Sequence, residues 1–187
     1  MHSQKLAVII LLTALSIGTD YAMLFLYNVK LMDLIVFIGG FCFGPFVGAF
    51  IGIISWVVYG TLNPMGFSLP IWFSTMFSET IYGIAGGIVR KNLNPKALGE
   101  FKDGQVNIYF FFGILSMFLT FTYDLITNIV FGCVSGWSIP FAVIVGFLPF
   151  GLIHMLSNAF FFGLGCVPAI NAISKVMGGE NSGFPKE

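Results

Sequence analysis

The chain has 187 residues, of which 57% are hydrophobic and only 9% charged, and its formal net charge is zero. Soluble domains carry about 25% charged residues, so the composition excludes a soluble globular protein, and the charge balance gives no support to nucleic-acid binding. What remains is an integral membrane protein, all-α, read here as a six-transmembrane-helix bundle in a single domain over residues 1–187.

The first helix is expected over about 5–27. One lysine precedes a long apolar run with no small-residue cleavage site, so the segment reads as a retained helix rather than a signal peptide. Ala14, Gly18 and Ala22 recur every fourth residue and Ala7 lies seven before Ala14, which puts all four near one small-residue face. Asp20 interrupts the run toward its far end. A short connection at 28–30 then leads into LMDLIVFIGGFCFGPFVGAFIGIISWVVYG, residues 31–60, in which Asp33 is the only charge.

A straight helix of that length would run ~45 Å, against a hydrocarbon core of ~30 Å. Gly44-Pro45 sits in its middle. Proline lacks a donor and the residue before it disfavours helix, so two helices are expected, about 31–43 and 45–60. Gly44, Gly48 and Gly52 follow at every fourth residue and suit close helix packing in lipid.

A turn-rich loop, GTLNPMGFSLP, occupies 60–70 and includes Asn63-Pro64. Helix 4 follows at about 70–90, with Trp72 at its start, Glu79 mid-span and Arg90-Lys91 at its end. The stretch 91–105 is hydrophilic. Helix 5 is expected at about 106–131 with Asp124 and Asn128, and helix 6 at about 140–175, restarting at Pro149, with His154 and Asn158. With both termini in the cytoplasm, Lys5, Arg90, Lys91, Lys96, Lys102, Lys175 and Lys186 lie inside and only Lys30 outside, as the positive-inside rule prefers. A five-helix arrangement with 31–60 unbroken satisfies the charges equally; span length and Gly-Pro favour six.

A charged group at mid-membrane costs ~2.5–3.5 kcal/mol on insertion scales. Asp20, Glu79 and Asp124 therefore call for a reason. Asp124 and Asn128 are spaced i, i+4, as are His154 and Asn158 on the next helix. These two polar stripes on neighbouring antiparallel helices are expected to face each other or a shared cavity, either as a ligand pocket or as interhelical hydrogen bonding alone.

Other chemistries find little support. Cys42, Cys133 and Cys166 have apolar neighbours and no paired spacing, and read as small core residues. Ser135 with His154 lacks any oxyanion arrangement. Scattered acids and one histidine within the spans do not make a metal site. Met1-His2 is similar to the start of nickel- and cobalt-uptake proteins, but Ser3-Gln4 does not continue that pattern. No catalytic constellation, cofactor motif or phosphate loop is present, so the chain is not expected to be an enzyme, and any ATP hydrolysis belongs to a partner.

The segment IGGFCFGPFVGAFIGIISW, 38–56, resembles the Phe-Gly-Pro-x-x-Gly-Ala turn between helices 2 and 3 of the substrate-binding S components of energy-coupling factor (ECF) transporters. The apolar first helix with spaced alanines fits as well. The resemblance implies capture of a vitamin or related micronutrient from outside, with transport energised by a separate T subunit and two ATPase subunits in the lipid bilayer. It implies docking of helix 1 on the T subunit, through Ala7, Ala14 and Gly18 as the nearest equivalents of the family's alanines. It further implies a site built on helices 4–6 and the loops after helices 1 and 3. The residues expected to line that site are Asn63, Trp72, Glu79, Asp124, Asn128, His154 and Asn158, with loops 28–33 and 60–70 as its lid. Carboxylates without a buried Lys or Arg among these suggest a cationic or donor-rich ligand, and the many aromatic residues suggest a nitrogen heterocycle. A self-contained secondary transporter or a non-transport membrane assembly subunit are the alternatives; the first would show an internal repeat, and none is evident.

Overall fold

A computed structural model describes residues 2–63, 66–93 and 106–177. The Pro64 turn, the hydrophilic stretch beyond Leu93 with Lys96 and Lys102, and the tail with Lys186 lie outside the described residues. The described residues are mostly helical and contain no strand. In order they form α1 (His2–Ala22), α2 (Met32–Phe43), α3 (Pro45–Thr61), α4 (Leu69–Asn92), α5 (Val106–Ser135), α6 (Ile139–Gly146), a π-helical turn (Phe147–Gly151) and α7 (Leu152–Met177). With α6, the π turn and α7 taken as one interrupted region, this is a six-helix bundle.

The bundle is apolar outside and encloses a set of polar side chains within its apolar core. Phe25, Phe46, Leu11, Phe118 and Phe160 are exposed, while Ser16, Asp33, Glu79, Thr120 and Asn158 are almost wholly buried. That distribution suits lipid as the surrounding solvent. Ser3–Ala22, Asn107–Ser135 and Ile139–Val176 are each long and apolar enough to cross a membrane.

The centre of the bundle is α2. Residues Met32 through Cys42 are all buried, and α2 packs against α1, α3, α4 and α7. A helix apolar on every side must be enclosed; at 12 residues it spans only ~18 Å, so it is surrounded by protein. Its ends are matched to its dipole: Asp33 stands in its first turn, and the Arg90 guanidinium donates from α4 to the terminal carbonyls of Phe41 (3.2 Å) and Cys42 (2.7 Å).

The break between α2 and α3 falls at Gly44, whose φ of +102° few residues other than glycine adopt, with Pro45 opening α3. This separates the pair and removes the five-helix arrangement. Of the expected glycine stripe, Gly44 is the turn itself. Gly48 meets Gly40 of α2 and Gly83 of α4, and Gly52 meets the Glu79 side chain. Gly40, Gly48 and Gly83 form a three-helix junction in which a Cβ on any of them would collide with backbone.

Two boundaries depart from expectation. α1 ends at Ala22 rather than near 27, because residues 23–31 turn back over the bundle, with Asn28 in left-handed conformation (φ 55°). α5 continues to Ser135, shortening the following loop. At Pro149, where a restart of the last helix is expected, the chain passes through a π turn with non-helical Leu148. Cys133 is exposed, unlike Cys42 and Cys166, since it sits in the extended end of α5.

Candidate functional site

The polar stripe of α5 is one turn longer than the sequence suggested: Thr120, Asp124 and Asn128 follow at i, i+4, i+8. Antiparallel α7 presents His154 and Asn158. The two stripes meet as rungs, with His154 Nδ1 3.0 Å from Asp124 Oδ1 and Asn158 Nδ2 donating to Thr120 Oγ1 at 2.8 Å. Asp33 of α2 joins both. Its Oδ2 lies 2.7 Å from His154 Nε2 and also accepts from Asn158 Nδ2. Tyr82 of α4 donates its hydroxyl to Thr120 at 2.9 Å. Four helices are thus tied by one buried network.

The orientation of the Asn158 amide is fixed by chemistry. Turned over, its oxygen would face the Asp33 carboxylate. The imidazole is equally constrained. Both nitrogens face carboxylate oxygens, so two hydrogens are shared among three groups: either the ring carries both, or a carboxyl keeps one. In either state Asp33, His154 and Asp124 together carry one net negative charge.

Beside this network is a cavity of about 280 Å³, lined on one side by Asp33, Asp124, Asn128 and His154, and on others by Lys30, Trp56, Tyr123 and Phe150. Asp124 Oδ2 is buried and has no hydrogen-bond partner. The Lys30 ammonium sits 4.3 Å from the Trp56 ring centre and 4.5 Å from that of Tyr59, cation–π distances for both; among the described residues no carboxylate is in ion-pair contact with it. The α1–α2 connection closes over the cavity: Asn28 donates to the Phe150 carbonyl at 2.9 Å and the Tyr27 ring packs on Phe150 with centroids 4.9 Å apart.

The predicted site residues divide into two groups. Asp124, Asn128 and His154 line the cavity. Asn158 does not; it is fully buried one turn below, inside the network. Glu79 and Trp72 form a layer behind Trp56: the Trp56 indole donates to Glu79 Oε2 at 3.0 Å and the Trp72 indole to the Trp56 carbonyl at 3.1 Å. Asn63 lines a neighbouring cavity of about 290 Å³ with Asp20, Tyr59 and Lys30.

Sequence reasoning missed Asp33, Lys30, Trp56, Tyr82 and Thr120. Lys30 and Asp33 fell within the lid expected over 28–33 and were not counted among the lining residues. Trp56 is 7% exposed and forms cavity wall. With Lys30 lining the cavity, the premise of a site without a basic residue no longer holds.

On α1 the buried face carries Thr13, Ser16 and Asp20. Ala7, Ala14 and Gly18 lie on the exposed face, and a Cβ added at Gly18 would meet nothing. Among the described residues the small-residue stripe is therefore not used for packing within the chain.

A family model described as "ECF transporter, substrate-specific component" matches residues 4–163. Neither a curated protein nor a solved structure matches the chain significantly.

Proposed function

Because the chain belongs to the ECF transporter substrate-specific component family, we propose that it captures a vitamin or related small micronutrient outside the cell membrane and is not an enzyme. The whole chain acts as one membrane domain. A T subunit and two ATPase subunits supply the energy, with the T subunit docking on the α1 face that carries Ala7, Ala14 and Gly18.

The observation that carries this reading is the cavity itself: buried polar side chains from α2, α5 and α7 converge on it beneath the strap formed by Tyr27 and Asn28. Asp33, Asp124, Asn128 and His154 all reach the cavity, more polar side chains than the contact between α5 and α7 requires. The direction of the helices supports the orientation. Lys5 starts α1, Arg90 and Lys91 end α4, and Lys175 ends α7. All stand at the ends remote from Asp33 and His154, so the positive-inside rule turns the cavity outward.

The test is to purify the protein in mild detergent, denature it and identify released small molecules by mass spectrometry. One compound near equimolar with protein is expected. Its uptake by cells or vesicles should then require the T subunit and ATPases. Uptake by this chain alone would overturn the reading in favour of a self-contained transporter.

A further inference from the structure

Resting on that reading, we propose that the ligand is a small zwitterionic ring compound, bound with a nitrogen-borne donor at Asp124, an anionic group at Lys30 and its ring against the aromatic wall. Asp124 supplies the first pole. It lines the cavity and is 6% exposed; its Oδ1 is engaged by His154, while Oδ2 is buried against Gly151. A carboxylate is acceptor-only when ionised, so the group that suits the cavity edge of Asp124 is a ligand N–H.

Lys30 supplies the second pole. Its ammonium is held against Trp56 and Tyr59, with no carboxylate of the described residues in contact. It retains donors for an anion. Charge counting then selects between ligand classes. The Asp33–His154–Asp124 group carries one net negative charge and Lys30 one positive charge. The cavity lining is therefore neutral overall but polarised, and a ligand of zero net charge with separated poles matches it. A plain cation leaves Lys30 facing it, and a plain anion leaves Asp124 facing it; each places like charges together in a partly dehydrated space.

Size narrows the class further. At about 280 Å³ the cavity is at the small end of the ~300–1,000 Å³ typical of ligand sites, which favours one ring over a fused or tethered system. Trp56 and Tyr123 line it with their rings 6.5 Å apart at 29°. That gap is too narrow for a third ring between them, so the ligand ring packs against the wall rather than inserting into it.

Three probes sharing one ring separate the possibilities: 4-(aminomethyl)benzoate, benzylamine and benzoate, which at neutral pH are zwitterion, cation and anion. Binding to the full-length protein in detergent is measured by calorimetry, with 3-(aminomethyl)benzoate covering the other pole spacing. The better zwitterion should bind roughly ten- to a hundredfold tighter than either one-ended probe, the effect of one charge-assisted hydrogen bond. Asp124→Asn should erase its advantage over benzoate, and Lys30→Met its advantage over benzylamine. If a variant fails to fold, the wild-type ranking alone decides. Equal binding of zwitterion and benzylamine, or no binding of any probe, overturns the zwitterion assignment. Neither result touches the transport reading, which falls only if no co-purified compound is found or if uptake proceeds without the ATPases.

Discussion

His154 Nε2 lies 2.7 Å from Oδ2 of Asp33, across 121 residues of chain. The same oxygen receives the Asn158 amide, so one carboxylate of α2 holds two successive turns of α7. Asp33 and His154 themselves line the cavity. The shape of the site therefore depends on a contact that is itself part of the bundle's packing.

Asp33→Leu should accordingly be a stability variant before it is a binding variant. It keeps the volume but leaves the His154 and Asn158 donors buried without an acceptor. Interhelical hydrogen bonds in membranes average only ~0.6 kcal/mol, yet each orphaned donor costs ~1–3 kcal/mol. The second effect dominates, and a loss of about 2–4 kcal/mol is expected, read as a lower melting temperature in detergent. Asp33→Asn retains a carbonyl acceptor and should lose about half as much. An unchanged melting temperature in Asp33→Leu would show that α7 is held elsewhere.

The glycine junction gives a second prediction. A Cβ at Gly40 would enter the backbone carbonyl of Gly83, whereas one at Gly18 meets nothing. Gly40→Val should push α2 and α4 apart at a cost of about 3 kcal/mol or more, abolishing recovery of folded protein. Gly18→Val should express and melt as wild type, within about 0.5 kcal/mol. Size-exclusion profiles of the two variants in detergent compare them directly. A monodisperse Gly40→Val protein would contradict the close approach.

These features were unevenly legible in the sequence. The all-α membrane class followed from 57% hydrophobic and 9% charged residues, and the Gly44-Pro45 break from covalent geometry that no tertiary contact overrides. The facing stripes of α5 and α7 followed from i, i+4 spacing. Asp33 was not recognised as part of the same network because its partners are remote in sequence and α2 has no polar periodicity to point it inward. The early end of α1 was equally hidden. No glycine or proline marks it, and it is set by Tyr27 and Asn28 reaching Phe150. Asn158 was read as pocket lining because spacing reports a shared face but not depth along it.

That depth separates Asp124 from Asn158 in experiment. Asp124 lines the cavity, so Asp124→Asn should weaken binding of the co-purified compound by ~1.5–3 kcal/mol, about ten- to a hundredfold. Asn158→Ala removes donors to Asp33 and Thr120 without touching the cavity, and should lower stability by ~1–3 kcal/mol while moving affinity less than threefold. Isothermal titration beside thermal melts resolves the two. The opposite pattern, with affinity lost in Asn158→Ala and kept in Asp124→Asn, would mean the ligand lies one turn deeper.

The last prediction concerns α1. Its inner face is occupied by Thr13, Ser16 and Asp20, and Ser16 is wholly buried. Its other face presents Ala7, Ala14 and Gly18, exposed and spaced so that a second helix can approach closely. If the T subunit docks there, Ala14→Trp and Gly18→Trp add bulk only at the contact between subunits. Melting temperature and ligand affinity of the isolated protein should stay at wild-type values, while uptake in cells expressing the T subunit and ATPases should fall at least tenfold. Ser16→Trp is the internal control, since it forces an indole into the bundle and should prevent folding. Co-purification of the T subunit with each variant distinguishes failed docking from failed turnover. A T subunit that stays bound to Ala14→Trp and Gly18→Trp, with uptake intact, would move the docking surface off this face of α1.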